Sequence, residues 1–386
     1  MTPSARVQAA IVILDAIATG TPAEKALTGW ARKSRFAGSG DRAAIRDHVF
    51  QALRCRRSYA CLGGAETGRG LMIGALRAAD MDLSEVFNGQ GYGPEPLSEE
   101  EAGQNHPPFG EGEDYDLPDW LIPLFNKSLS DEAKVISQAL RQRAPVMLRV
   151  NSRATTREKA IAALAEDGIT VEAHDIAPTA LIVTDGPRRV AGSQAYQQGW
   201  VEVQDGSSQA AMETLEIAPG IKVLDYCAGG GGKTLALAAR AQAKWLAYDA
   251  DPARMKDLPA RAKRAGIAVE MIEDAPARAP YDLVLCDAPC SGSGAWRRAP
   301  DAKWRLTPER LAELTAMQDQ ILSDAAKLVG EKGKLIYATC SLLEVENQDR
   351  IARFLAATPG WQMDMQRNWP VFDGGDGFFI AHLSRK

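Results

Sequence analysis

The chain lacks any stretch that a membrane or a secretion apparatus would use. Its longest early apolar run, residues 9–14, is stopped by Asp15, and no later stretch does better. A signal-peptide core and a membrane span are both excluded on that reading, and a cytoplasmic protein is expected. Histidine is scarce: the four residues His48, His106, His174 and His382 lie far apart and offer little to build a metal centre from. The six cysteines (Cys55, Cys61, Cys227, Cys286, Cys290 and Cys340) are too sparse for a disulfide framework. None form the Cys-x-x-Cys pairs of a structural zinc site, so reduced thiols and no bound metal are expected. An excess of positive charge is missing too. With 45 Lys and Arg against 50 Asp and Glu, the net charge is −5, which excludes coating nucleic acid by bulk charge but allows a local basic groove.

What is present is an ordinary globular composition, 386 residues with 45% hydrophobic and 25% charged content, enough for two or three domains. Collagen-like, mucin-like and wholly disordered chains are excluded. Residues 1–87 read as an all-α domain. Val7, Ala10, Ile11, Leu14 and Ala18 repeat at helical spacing, and Thr21-Pro22-Ala23-Glu24 has the form of a capping box with proline at the first helical position. Asp41 is expected to cap a helix whose apolar face is Ala44, Ile45, Val49 and Leu53, leaving Arg42, Arg46, Arg54, Arg56 and Arg57 for a solvated or RNA-contacting face.

Residues 88–117 form a Gly/Pro-rich stretch with eight acids and no Lys or Arg, read as a linker. Without those acids the rest of the chain carries +3, so the acidic balance belongs to one segment. Residues 118–205 alternate short elements, with strands expected over 145–150, 170–174, 180–183 and 200–203 and a helix over 155–166, a small α/β domain. Arg141, Arg143, Arg149, Arg153, Arg157 and Lys159 cluster near its start. Residues 206–386 repeat strand, turn and helix, with strands expected over 221–226, 244–248, 269–272, 283–286 and 334–338 and a helix over 308–328. That order describes a doubly wound parallel sheet.

Residues 223–234 read VLDYCAGGGGKT, a strand running into four glycines and a helix. Glycines there let the backbone approach a ligand closely. A P-loop needs glycine where Cys227 stands, and the dinucleotide fingerprint needs one at Thr234 or Leu235. A methyltransferase site asks less of the spacing but wants an acid at the end of the next strand to hold ribose hydroxyls, and Asp249 is there. A glycine turn can also serve only the packing of strand on helix. Asp249 and Asp274, both at strand ends facing the ligand crevice, weigh towards the ligand.

Two thiols follow strand ends in the same half. Cys290 lies in Asp287-Ala288-Pro289-Cys290-Ser291-Gly292, and Cys340 in Thr339-Cys340-Ser341. Cys55, Cys61 and Cys286 are expected to be small buried hydrophobes. Cytosine C5 is a poor nucleophile, and a thiolate added to C6 turns it into an enamine-like centre able to take a methyl group. One thiol suits that addition, the second suits release, and Asp287 suits proton donation near N3.

These motifs resemble the Sun (Fmu) family of RNA cytosine-5 methyltransferases, over roughly residue 148 to the C-terminus. The resemblance rests on Leu148-Arg149-Val150-Asn151, Val203-Gln204-Asp205, the glycine turn, both cysteine motifs, Pro300-Asp301 with Lys303-Trp304, Glu346-Asn347 and Asp376-Gly377-Phe378-Phe379. It implies a Rossmann-like class I methyltransferase domain, with Cys340 as nucleophile, Cys290 assisting release and Asp287 supporting the reaction. It further implies that S-adenosyl-L-methionine is held by Cys227, Ala228, Gly229, Gly230, Gly231, Gly232, Lys233, Asp249, Asp274 and Asp287. The family usually carries Ala-Pro where this chain has Gly229 and Gly230, which bears on donor affinity. Asp41-Arg42-Ala43, residues 49–54 and Leu117-Pro118-Asp119-Trp120-Leu121 resemble the RsmB-like branch, which methylates small-subunit ribosomal RNA and carries a NusB-like helical domain in front. The expected protein is a monomeric RNA methyltransferase forming 5-methylcytosine, with ribosomal RNA as its foremost partner. Arg141, Arg143, Arg149, Arg153, Arg157, Arg297, Arg298, Lys303 and Arg305 are the candidates for RNA backbone contacts. A transfer-RNA target with the same chemistry and a non-catalytic ribosome assembly factor are the alternatives.

Overall fold

A computed structural model describes residues 1–103, 107–372 and 374–386, so His106 lies outside the described residues. The chain divides into two compact units. One joins Met1–Arg143 to a distant segment, Trp296–Leu306, and the other holds Ala144–Ala295 and Thr307–Lys386. The four-part division expected from composition does not nest within this one: the boundary after Arg143 cuts the expected 118–205 domain, and Trp296–Leu306 was not separated from its neighbours.

The first unit is helical, led by Pro3–Ala18, Ala23–Lys33, Ser39–Arg54, Arg56–Gly63 and Gly68–Ala78. Its core gathers Val7, Ala10, Leu14, Ile45, Val49, Leu53 and Ile73, the stripes that helical spacing picks out. Two caps differ from expectation. Pro22, not Thr21, occupies the cap of the second helix and no side chain of that turn caps it. The Ala23 N–H instead meets the Asp301 carboxylate at 3.3 Å, a cap supplied by the segment Trp296–Leu306. Asp41 lies inside the third helix rather than before it, and accepts the N–H of the cap residue Gly38 at 3.3 Å, one half of a capping box that glycine cannot reciprocate.

The acid-rich segment is fastened rather than free. It forms the short helices Glu99–Ala102 and Glu111–Tyr115. Glu101 pairs with Arg69 at 2.7 Å and Glu113 with Arg57 at 3.1 Å, so these two acids are paired with arginines of the helical unit. The expected basic face is largely consumed in this way. Arg46 pairs with Glu24, Arg56 with Glu66, and Arg54 is buried against the Arg297 carbonyl.

The second unit contains two sheets. β1 (Val146–Val150), β2 (Thr170–Ala173), β3 (Ala180–Asp185) and β4 (Val201–Val203) pair antiparallel in the order β2-β3-β1-β4, beside the helix Arg157–Glu166. The larger sheet contains β5 (Lys222–Asp225), β6 (Lys244–Ala247), β7 (Glu270–Met271), β8 (Tyr281–Asp287), β9 (Val329–Thr339), β10 (Trp361–Trp369) and β11 (Phe378–Arg385). Its order is β10-β11-β9-β8-β5-β6-β7. β7 to β9 are parallel across the sheet, as a doubly wound fold requires, while β11 runs antiparallel to both β9 and β10. These last two strands were not anticipated.

Alternate residues of the central strands enter opposite cores. Val223, Leu283, Leu285, Ile336 and Ala338 pack on one face, and Leu224, Val284, Cys286, Leu335 and Tyr337 on the other. Burial on both faces is what parallel strands with helical crossovers demand, and it explains their continuous apolar runs. Strand order reverses at β5, between β6 and β8. Ligand crevices in such sheets open at the carboxyl ends of strands beside that reversal. No described helix is long and apolar enough to cross a membrane.

Candidate active site

β5 ends at Asp225 and the chain turns through four glycines into the helix Gly232–Ala238. Gly229 and Gly231 have φ of 47° and 74°, the left-handed region that side chains disfavour. A Cβ on Gly231 would stand 2.2 Å from a Leu258 methyl, so the turn is closely packed as well as unusual in backbone. The smaller sheet braces it. Arg149 on β1 donates to the Gly232 carbonyl at 2.9 Å and also to Gln204, whose amide reaches the same carbonyl at 3.4 Å.

Asp249, just past β6, is almost wholly buried and accepts the Gly229 N–H at 2.9 Å and the Asp251 N–H at 3.1 Å, tying the second strand end to the glycine turn. A cavity of about 610 Å³ opens beside it, walled by Tyr248, Asp249, Met255, Ile272 and Glu273. Asp274 is exposed and not among that wall. It accepts the Ala277 N–H at 2.9 Å and so serves its own turn. Under the turn, Asp225 accepts the Thr234 hydroxyl at 2.5 Å with one oxygen. Its other oxygen is buried without a partner among the described residues. Burial, reinforced by the charge of Asp287, pushes its carboxyl up to about 6. An acid at the second strand end, a close-packed glycine turn and an adjoining half-apolar cavity fit a ligand with a ribose and a flat base.

Lys233 and Asp287 bring the turn and the end of β8 together at 2.6 Å. Burial works against the Lys233 cation, but the charge and hydrogen bond of Asp287 outweigh it and hold the ammonium above its ordinary range. The Cys227 thiol, half-buried, is pushed up by burial and by Asp225, Asp287 and Asp249.

Sheet register delivers the two thiols. Asp287 on β8 lies opposite Ala338 on β9, and the Ala288 N–H meets the Ala338 carbonyl at 2.9 Å. Both chains leave the sheet at the same edge, and Cys290 and Cys340 Sγ atoms stand 3.5 Å apart. The hydrogen bond to Cys340, burial, the Cys340 charge and the Glu346 carboxylate all raise the Cys290 thiol well above its ordinary value. Cys290 therefore keeps its proton at neutral pH, and either sulfur can be the donor in the shared S–H···S contact.

The residues predicted from Cys227 to Lys233, with Asp249, Asp287, Cys290 and Cys340, thus gather at the carboxyl edge of the large sheet, and Asp274 follows the end of β7 at the same edge, exposed. Cys286 and Cys55 are buried, whereas Cys61 is only half-buried and contacts the Pro107 carbonyl. Three RNA-contact candidates are corrected. Arg149, Arg297 and Lys303 are 5%, 3% and 1% exposed, and a buried cation cannot meet an RNA backbone. Arg149 braces the glycine turn. Lys303 donates to the Arg54 carbonyl at 2.9 Å, and burial lowers its ammonium to about 8. Arg141 and Arg143 are engaged with Asp116 and Asp47. Sequence reasoning missed Gln204, Ser291 and Ser341 as supports, and treated Glu346 only as part of a motif. The signal was a set of polar residues inside otherwise apolar strand ends.

Residues 212–384 match the family described as 16S rRNA methyltransferase RsmB/F, and residues 117–190 match its ferredoxin-like domain. Ribosomal RNA small subunit methyltransferase B of Klebsiella pneumoniae is 36% identical over 296 residues, covering 72% of this chain and 68% of that protein. The match thus spans about two thirds of that relative. Among solved structures, that of PH0851 superposes with a TM-score of 0.79 at 25% identity, covering 100% of this chain and 99% of the other. A methyltransferase homologue from Pyrococcus horikoshii superposes with a TM-score of 0.60 at 21% identity, covering 72% and 100%, and so shares the Rossmann-like fold. The chain belongs to the RsmB/F family of 16S rRNA methyltransferases.

Proposed function

We propose that this protein transfers a methyl group from S-adenosyl-L-methionine to C5 of a cytosine in small-subunit ribosomal RNA, acting in the cytoplasm through a covalent intermediate on Cys340. The observation that carries the reading is the pair of thiols 3.5 Å apart beside the Lys233–Asp287 ion pair. Membership of the RsmB/F family supports the ribosomal target.

The donor, when bound, supplies an electrophilic methyl group. Asp249 would hold its ribose hydroxyls, and the cavity walled by Met255 and Ile272 would take the base. On the RNA side, the target cytosine must leave its stack to reach the sheet edge. The Cys340 thiolate adds to C6, and the electron pair of the C5–C6 bond moves towards C5 with a proton held at N3 by Asp287, itself supported by Lys233. C5 then takes the methyl group. Loss of the C5 proton to a base, with return of the N3 proton to Asp287, re-forms the double bond and expels Cys340, which takes its proton from Cys290 beside it. The base then reprotonates Cys290, and Cys340 gives one proton to solvent before the next cycle, so one proton is released for each methyl group transferred.

Nucleoside analysis tests the site of transfer. Small-subunit RNA from cells lacking the gene, incubated with the enzyme and isotopically labelled donor, is expected to yield labelled 5-methylcytidine after digestion. Label on an exocyclic amine or on a ribose oxygen would overturn the reading, and label in transfer RNA alone would move the target.

A further inference from the structure

We propose that Glu346 is a positioning residue that locks the two thiol-bearing loops to each other. The inference rests on the two-thiol reading above. Register between β8 and β9 ends at Asp287 and Ala338, and Cys290 and Cys340 both lie beyond it in irregular chain. Beyond it the backbone supplies one tie, the Gly294 N–H to the Cys340 carbonyl at 3.0 Å, and side chains supply the others that hold the 3.5 Å separation.

Glu346 is fully buried and reads the residue after each cysteine. One carboxylate oxygen accepts the Ser291 N–H at 2.8 Å and the Gln318 amide at 3.1 Å. The other accepts the hydroxyls of Ser291 and Ser341, both at 2.5 Å. Gln318, on the helix Pro308–Leu328, also donates to the Pro289 carbonyl at 2.9 Å, so three elements meet at one carboxylate. Glu346 is itself fixed by the Tyr337 hydroxyl, which donates to its carbonyl at 2.7 Å. Asn347 adds a second tie, accepting the Thr339 hydroxyl at 2.5 Å and donating to the Ser341 carbonyl at 2.8 Å.

All four groups facing the Glu346 carboxylate donate to it. A carboxylate accepts at both oxygens, whereas an amide in its place keeps the Ser291 N–H and Gln318 bonds through its carbonyl and must reverse the two hydroxyl bonds. The charge has a second effect, because it contributes to keeping Cys290 a thiol.

The test reads thiol proximity without RNA or donor. Hydrogen peroxide oxidises two adjacent thiols to a disulfide: the sulfurs give up two protons and two electrons, and the peroxide becomes two waters. Formation of the Cys290–Cys340 disulfide is followed in the full-length protein by peptide mapping after alkylation. Glu346→Ala is expected to slow it about 10-fold and to lower kcat about 100-fold with donor KM little changed, since a small misplacement of reacting groups is costly. Glu346→Gln, which keeps one acceptor in place, is expected to fall between. Should Glu346→Ala not fold, the double variant Ser291→Ala/Ser341→Ala removes both hydroxyl ties and is expected to show the same two losses. Disulfide formation and kcat within about twofold of wild type in the folded variant would overturn the proposal, because no such positioning effect would exist. Unchanged disulfide formation with a lost kcat would overturn it equally. Methylation found away from C5 would leave the disulfide result standing and sink only the cytosine reading.

Discussion

Among the described residues, two carboxylates have no exposed surface, Asp116 in the helical unit and Glu346 in the methyltransferase unit, and they are held by different kinds of partner. Asp116 accepts the Arg57 and Ser58 N–H groups at 2.9 Å each and the Ser58 hydroxyl at 2.8 Å, and it is ion-paired with Arg141 at 2.5 Å. Glu346 accepts only uncharged donors in the bonds described above. A buried carboxylate costs several kcal/mol unless it is compensated. At Asp116 an arginine shares the compensation, and the result is a latch that pins the acid-rich segment to the helices. At Glu346 neutral donors alone satisfy the oxygens and tie loops of the sheet edge together. Both charges are felt by a nearby thiol, Cys55 in one unit and Cys290 in the other. One unit fastens its chain through a buried ion pair and the other through neutral donors.

The sharpest way to break this contrast is to remove the latch. Asp116→Ala leaves Arg141 and two backbone N–H groups without their acceptor and is expected to lower unfolding free energy by about 3–5 kcal/mol, read from denaturant titration. A loss below about 1 kcal/mol would class the pair with ordinary surface bridges and remove the distinction.

Asp225 tests the same idea at the sheet edge. Its carboxyl is raised from an ordinary 3.8 to about 6 by burial, so the folded protein holds this proton more tightly than the unfolded chain. The native state is favoured while Asp225 stays protonated and loses stability as pH rises through about 6. Between pH 5 and 7, Asp225→Asn is expected to gain about 1–2 kcal/mol relative to wild type, because the amide does not titrate. Parallel stability curves for the two proteins would contradict the assignment.

The smallest effect concerns exposed charges. Arg153, Arg298 and Arg305 are exposed. Changing one that contacts a phosphate is expected to reduce the slope of log affinity against log salt by about 0.7–0.9, while Arg143, engaged with Asp47, should change it less. An unchanged slope in all three exposed variants would reject RNA backbone contact at these positions.

Much of the architecture could be read from residue pattern alone. The helix Pro308–Leu328 was bounded correctly because its cap and its periodicity agree. β5, β6, β8 and β9 announce themselves as apolar runs buried on both faces. β10 does not, because it is an edge strand whose residues between Trp361 and Trp369 are largely exposed and polar. β11 was read only as far as its family motif. At the site, the glycines, Asp249 and both thiols were legible because their chemistry demands particular residue types. Arg149, Lys303 and Glu346 were misjudged or passed over for a common reason. A charged residue reads as a surface residue until the carbonyls and hydroxyls that bury it are known, and those come from chain 80 to 250 positions away for the two cations.

The central claim is that Cys340 forms the bond to RNA and Cys290 helps break it. Wild type, Cys290→Ala and Cys340→Ala are incubated with S-adenosyl-L-methionine and unmodified small-subunit RNA and resolved on denaturing gels. Cys290→Ala is expected to accumulate a protease-sensitive protein–RNA adduct, and Cys340→Ala to give neither adduct nor methylated product. Adduct in Cys340→Ala would mean that the roles are reversed, and full activity of Cys340→Ala would contradict the mechanism outright.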